Sequence, residues 1–223
     1  MKVLFIGAKS GNSYLHYLAI KRFYKNVHFF DDRKILPFPK VSGKVFWHVS
    51  PLIFENYINN KIRSKINSSY DLIFVKTGHL IGKKLIFYLK SKTKKIICLC
   101  NDNPFVKRDK NRWKLFLQAA KYYDLIVYQD ASRIKLAKKF KLKNSLLTLP
   151  TYDKKTHKKF LISSSNKLKL KNDVIFIGTW SPNKGIFLNK LRNLGLNFKI
   201  YGTRWNQDPN YKILKPIIKL GHV

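Results

Sequence analysis

The chain has 223 residues, 45% of them hydrophobic and 14% aromatic, which is enough to bury a sizeable core in one large or two small domains and excludes a disordered protein. Lys and Arg number 46 against 11 Asp and Glu, a formal net charge of +35 whose field attracts nucleic acid, anionic lipid or phosphorylated ligands. Lys and Arg interrupt every stretch that approaches the roughly 20 apolar residues a spanning helix needs, and the first apolar run is too short for a signal-peptide core, so the expected address is the cytoplasm.

Short apolar runs bounded by turn residues predict strands at 3–6, 27–30, 72–75, 96–99, 125–128 and 146–149. Amphipathic segments between them predict helices at 14–24, 51–66, 80–91, 110–122 and 131–140, with Lys on the face away from the apolar stripe. Strands alternating with helices imply an α/β protein with a doubly wound parallel sheet, a Rossmann-like domain over 1–152. The stretch 153–171 is rich in Lys, Ser and Asn and reads as a linker. From 172 the strand-and-loop pattern restarts: strand 174–177, buried on both faces, a helix near 184–194, strand 198–201, then a further helix and turn from 213. A complete doubly wound domain needs roughly 100 residues, so 172–223 is expected to be the first part of a second Rossmann-like domain.

Cys98 and Cys100 are expected to point to opposite faces of their strand, buried as small hydrophobes, and the six His are scattered without ligand spacing. No metal site is therefore expected from protein side chains. The excess charge is almost all Lys, spread along the chain with many Asn and Ile, a pattern that an AT-rich genome also produces.

Candidate site residues lie where predicted strands end, the edge at which open α/β sheets bind ligands. Gly7 and Gly11 flank a strand-to-helix turn, and Asn12 follows it; Asp31 and Asp32 close the second strand where a ribose-binding acid would sit. The spacing of a dinucleotide fingerprint is absent, and an ordinary tight turn lining a cleft is favoured. In the loop 76–79, His79 is a candidate general base; in the loop 101–104, Asp102 is the other, with Asn101 and Asn103 as substrate-binding neighbours. Gly178 ends the strand at 174–177, and Ser181 and Pro182 offer an N-cap and a first helical residue, so free backbone N–H groups and Lys184 would face an anion together.

Five motifs, in chain order, carry a resemblance: Asp71 to Gly78, Asn101 to Phe105, Tyr123 to Tyr128, Phe176 to Trp180, and Ile200 to Trp205. Together they resemble the spore-maturation CgeB-like glycosyltransferases, themselves similar to other GT-B transferases. The resemblance covers nearly the whole chain and implies two Rossmann-like domains facing across a cleft. The first would hold the acceptor, a glycan, a lipid-linked or a protein hydroxyl. The second would hold a nucleotide-diphosphate sugar as co-substrate, with no separate cofactor. It further implies that Gly178, Thr179, Lys184 and Gly185 bind the donor phosphates and that Trp180, Tyr201 and Gly202 line the cleft. An Arg- and Glu-containing segment that the family carries later in its second domain has no counterpart before Val223, so either the chain is a fragment or a separate chain supplies the remainder. The alternative reading is a non-catalytic Lys-rich α/β protein on nucleic acid, or on an anionic membrane surface at the inner face of the membrane. No RNA-binding signature accompanies the charge, so specific nucleic-acid recognition is not expected.

Overall fold

A computed structural model describes every residue except 38, 107, 108, 110, 151, 154, 156, 159–171 and 220–223. The chain divides into two compact units, Met1–His157 and Lys158–Val223. Most of the expected linker, 159–171, lies outside the described residues. Its first residues belong to the first unit, because Arg22 clamps Asp153 through two hydrogen bonds of 3.0 and 2.7 Å.

In the first unit, strands β1 (Lys2–Gly7), β2 (Asn26–Asp31), β3 (Leu72–Lys76), β4 (Ile96–Cys100), β5 (Leu125–Tyr128) and β6 (Ser145–Leu147) form one sheet in the order β2-β1-β3-β4-β5-β6. Every pairing is parallel. The helices are α1 (Gly11–Phe23), α2 (Pro39–His48), α3 (Glu55–Arg63), α4 (Lys83–Lys90), α5 (Lys114–Ala119) and α6 (Ala131–Lys139). The expected helix at 51–66 is broken: Pro51–Phe54 is a 3-10 turn started by Ser50, whose hydroxyl accepts from Leu52 N, and α3 begins only at Glu55. The helix expected at 110–122 shortens to α5 with a 3-10 turn at Ala120–Tyr122, and the edge strand slips from 146–149 to Ser145–Leu147.

The alternation of β1 explains how helices cover both faces. Leu4 and Ile6 join Ile73 and Val75 in a core with Ile58 and Ile62 of α3, Leu85, Ile86 and Leu89 of α4, and Phe116 of α5. Phe5 points the other way, stacked on Phe29 at 5.7 Å and Phe74 at 5.5 Å, where Tyr17 of α1 closes over it edge-on at 5.9 Å. Cys98 and Cys100 are two residues apart on one strand and so share a face, contrary to the expectation of opposite faces; both are fully buried. Burial pushes the Cys100 thiol up to about 12, helped by the nearby Asp102.

The second unit contains β7 (Val174–Ile177), α7 (Pro182–Arg192), β8 (Phe198–Tyr201), α8 (Tyr211–Leu214) and β9 (Ile218–Lys219), with a parallel sheet ordered β7-β8-β9. Its core is Leu188, Phe198, Ile200, Trp205 and Leu214, with Val174 and Phe176 packed against it. Only that face of β7 is covered. Ile175 is 48% exposed and Ile177 is 65% exposed, which corrects the expectation of a strand buried on both sides. The further helix expected from 213 is the short α8 with a 3-10 turn at Lys215–Ile217, and Ile218–Lys219 then pairs with β8 as β9, a strand that was not expected.

No helix among the described residues is long and apolar enough to cross a membrane.

Candidate functional site

The sheet order of the first unit sets where a ligand can sit. From β1 the chain steps one way to β2, then crosses back to lay β3 on β1's other side. The crevice outside the carboxyl ends of β1 and β3 is therefore the topological switch point, where open parallel sheets bind ligands. The register brings Gly7 at the end of β1 beside Lys76 at the end of β3. A Cβ on Gly7 would fall 2.6 Å from Ser13 Oγ and 2.9 Å from Lys76 Cβ, so only glycine lets α1 and β3 approach this closely.

Two consecutive residues after β3 have left-handed backbones, Thr77 at φ +75° and Gly78 at φ +78°. For a β-branched residue this is a strained conformation, costing on the order of 1–3 kcal/mol. It is held because Thr77 N donates to Leu99 O at 2.9 Å, and because Gly78 sits where a Cβ would crowd Cys98, Phe116 and Tyr123 at 3.0 to 3.1 Å. The turn drives His79 inward, edge-on to Phe46 at 5.8 Å and to Trp113 at 6.3 Å. Burial, reinforced by the charge of Arg112, presses the His79 imidazole down to about 3, so it is neutral at physiological pH. Its Nδ1 has no hydrogen-bond partner among the described residues.

Lys76, Ser13, Asp32, Arg33, His79 and Arg112 line a cavity of about 300 Å³ at this switch point. Lys76 is only 4% exposed, and neither its Nζ nor the buried Ser13 Oγ has a partner among the described residues. Burial lowers the Lys76 ammonium to about 8 against the pull of Cys98, Cys100 and Asp102. Burial, then the neighbouring Asp31, raises Asp32 to about 7. Asp31 itself caps the following turn, accepting from Arg33 N at 3.2 Å and from Lys9 N at 3.3 Å.

Further along the same edge, a groove of about 550 Å³ runs beside α1, lined by Asn12, His16, Arg22, Asn101 and Gln129 among others. Asn101 Oδ1 is buried there without a partner among the described residues, while its backbone carbonyl accepts from Arg133. Asp102 pairs with Arg112 at 3.5 Å and leaves its side chain 39% exposed; Asn103 Oδ1 accepts from Phe105 N at 3.1 Å and shapes the turn. Gly11, at φ +49°, opens α1 behind Ser10, which caps with its backbone only, and the first turn of α1 carries no acidic residue. Thus His79 lines the smaller cavity, where Gly7 packs against the lining residues Ser13 and Lys76, and Asn12 and Asn101 line the larger groove.

In the second unit the glycines make a backbone crossing. Gly178 N donates to Tyr201 O at 2.8 Å, and Trp205 Nε1 donates to Gly178 O at 2.9 Å. Gly202, at φ +149°, lies so close that a Cβ would stand 2.1 Å from that carbonyl oxygen. Positive φ thus belongs to Gly202 and not to Gly178. Ser181 and Pro182 start α7 as expected, though Ser181 makes no side-chain cap. Lys184 is exposed and its Nζ donates to Thr179 O at 2.9 Å, folding the ammonium back over the loop at the N-terminus of α7. A Cβ on Gly185 would fall 2.1 Å from Asp208 Oδ2, the same oxygen that accepts from Trp180 Nε1 at 2.8 Å. Gly185 is thus a close-packing glycine at a Trp180–Asp208 brace that Asn189 joins at 3.4 Å.

Sequence reasoning did not single out Lys76, Ser13 or Asp208. Lys76 carries one signal, a cation in the last position of an otherwise apolar strand, and the interior Gly185 of a helix marks its partner Asp208.

Two units with parallel sheets crossed by helices define a Rossmann-like α/β protein. No family model matches the chain, and no curated protein sequence matches it. Solved structures do. The UDP-N-acetylglucosamine 2-epimerase of Rickettsia bellii aligns over 100% of this chain and 68% of its own, with a TM-score of 0.54 and 12% identity. Anabaena Alr3699/HepE, solved in complex with UDP and glucose, aligns over 99% of this chain and 68% of its own, with a TM-score of 0.53 and 16% identity. At such identities the likeness shows the fold, the Rossmann-like architecture of GT-B enzymes.

Proposed function

We propose that the chain carries the fold of a glycosyltransferase that moves a sugar from a nucleotide-diphosphate donor to an acceptor hydroxyl in cell-surface or protein glycan synthesis. The observation that carries this reading is the loop of the second unit. There the Gly178–Gly202 crossing fixes the backbone, and Lys184 lies folded over the N-terminus of α7. Backbone N–H groups at a helix start and a lysine with donors to spare are what a diphosphate requires. The fold shared with a protein that binds UDP and glucose, and the CgeB-like motifs, support the same assignment.

In the transfer, the bond from the sugar's anomeric carbon to the diphosphate oxygen breaks as a bond to the acceptor oxygen forms. The hydroxyl proton passes to a base, and the diphosphate leaves with its charge stabilised by Lys184 and the helix dipole. Of the two candidate bases, Asp102 is the better presented, being 39% exposed, whereas His79 is sealed between Phe46 and Trp113. The charge of +35 also leaves room for a peripheral role at an anionic membrane surface, where a lipid-linked acceptor would lie.

The test is calorimetric titration of UDP into the full chain and into Lys184→Ala. Loss of a charged hydrogen bond predicts roughly 10- to 150-fold weaker binding with the fold intact. Gly178→Val should weaken it further, because a Cβ there would crowd the Phe176 ring at 3.2 Å and stand in contact with Lys184 Nζ. Equal affinity in the parent and Lys184→Ala would return the loop to an ordinary turn.

A further inference from the structure

The first unit buries a lysine that forms no ion pair among the described residues. Lys76 is 4% exposed and its Nζ has no hydrogen-bond partner among the described residues, although three N–H donors are available on it. Burying such a group unpaired is costly, and proteins normally supply a carboxylate or a hydrogen-bonding cage. Here Lys76 instead lines a cavity together with Ser13, whose Oγ is also buried without a partner among the described residues, and the lack of a Cβ on Gly7 lets Ser13 Oγ and Lys76 Cβ approach. Arg33 and Arg112 line the same cavity, and Asp32 is the single acid among its described lining residues. At about 300 Å³ the space sits at the lower limit of small-molecule sites and suits a compact ligand or one end of a larger one.

We propose that this switch-point cavity is a binding subsite for a compact oxyanion, the carboxylate or phosphate group of a small ligand, with Lys76 Nζ and Ser13 Oγ–H donating to its oxygens. The strained Thr77–Gly78 turn belongs to the same device, because it ends β3 at Lys76, a lining residue of the cavity, and returns the chain to the core at His79. The location, beyond the carboxyl ends of β1 and β3, is independent of the donor loop in the second unit. If the acceptor reading of the first unit holds, the subsite selects acceptors that carry an acidic group; the anion site itself does not depend on it.

The experiment titrates the full chain with inorganic phosphate and, separately, with acetate, by calorimetry at constant ionic strength balanced with chloride. Lys76→Met and Ser13→Ala are measured in parallel. Constant ionic strength and an unchanged Lys surface cancel the diffuse anion binding of so basic a chain. One of the two anions is expected to bind the parent with one-to-one saturation, and Lys76→Met to weaken it roughly 10- to 150-fold. Ser13→Ala should weaken it by a smaller factor, roughly 2- to 12-fold, and serves alone if Lys76→Met does not fold. Binding of phosphate only assigns a phosphorylated ligand; binding of acetate as well assigns a carboxylate. UDP affinity should be the same in Lys76→Met as in the parent, which separates this subsite from the donor loop. Absence of saturable binding by either anion, or affinities unchanged by the substitutions that fold, would overturn the proposal.

Discussion

Replacing Lys76 by Met should make the ligand-free protein more stable. The parent holds its ammonium at about 8 instead of the ordinary 10.5, chiefly through burial. At pH 7 the folded state therefore carries a proton it binds less tightly than the unfolded chain does, a penalty on the order of 3 kcal/mol. Met has similar length and no charge, so it fills the same wall without that cost. For a chain of this size the gain corresponds to roughly 6–12 °C in melting temperature. The pH dependence has a definite sign. Between pH 8 and 10.5 the unfolded chain keeps the proton that the folded protein has released, so the parent gains stability with rising pH and the advantage of the Met variant shrinks. Thermal unfolding followed by circular dichroism at pH 7, 8, 9 and 10 reads both effects, and the difference between the two proteins cancels the titration of the other lysines. A Met variant no more stable than the parent at pH 7, or a gap that stays constant to pH 10, would mean that Lys76 is not an uncompensated buried cation.

His79 works in the opposite window: its value of about 3 against an ordinary 6.5 means that stability is lost as pH falls below 6.5, by up to about 5 kcal/mol, and His79→Phe should remove that acid slope in unfolding curves at pH 4, 5 and 6.5. Asp32, raised to about 7, costs stability as pH rises from about 4 to 7, so Asp32→Asn should flatten the neutral limb of the same curves. Gly202→Ala puts a methyl 2.1 Å from the Gly178 carbonyl at a φ of +149°, and hydrogen exchange should show the second unit destabilised by at least 1–3 kcal/mol while the first unit keeps its protection. Binding to a labelled single-stranded nucleic acid should be weak and fall steeply between two salt concentrations, since it rests on dispersed lysines; tight, salt-tolerant binding would favour a nucleic-acid function instead.

The regular fold was readable where local pattern and tertiary environment agree. The predicted strands 72–75, 125–128 and 198–201 fall within a residue of β3, β5 and β8, because each is a short apolar run that ends at a turn and is paired on both sides in its sheet. The helix α2 at Pro39–His48 was not among the expected elements, and Pro37, Pro39 and Gly43 dilute its helical pattern. Pro39 instead occupies the first position of the helix, where its missing N–H costs nothing, and burial of Ser42 and Phe46 stabilises the rest. The exposed face of β7 was not legible either, because an apolar run looks the same whether one layer or two cover it.

The candidate site was legible as loops and illegible as chemistry. The turn at 76–79 was marked from its place after a strand, and a histidine drew attention there because its titration lies near neutrality. Burial inverts that ranking: His79 loses its proton to desolvation, while the lysine three residues earlier becomes the group with unspent donors. What decides between them is the sheet order β2-β1-β3, which sets Gly7, Ser13 and Lys76 side by side from positions as much as 69 residues apart. No local pattern encodes that adjacency; its one local trace is a cation in the last position of an otherwise apolar strand. In the second unit the opposite holds. Gly178, Lys184 and Gly185 are close in sequence, so the loop could be recognised, but Gly185 is fixed by Asp208 and Gly178 by Gly202, partners 23 and 24 residues away. The glycines that resemble a phosphate motif are thus required first by close packing, so the proposed diphosphate role rests on Lys184, exposed above them with donors to spare.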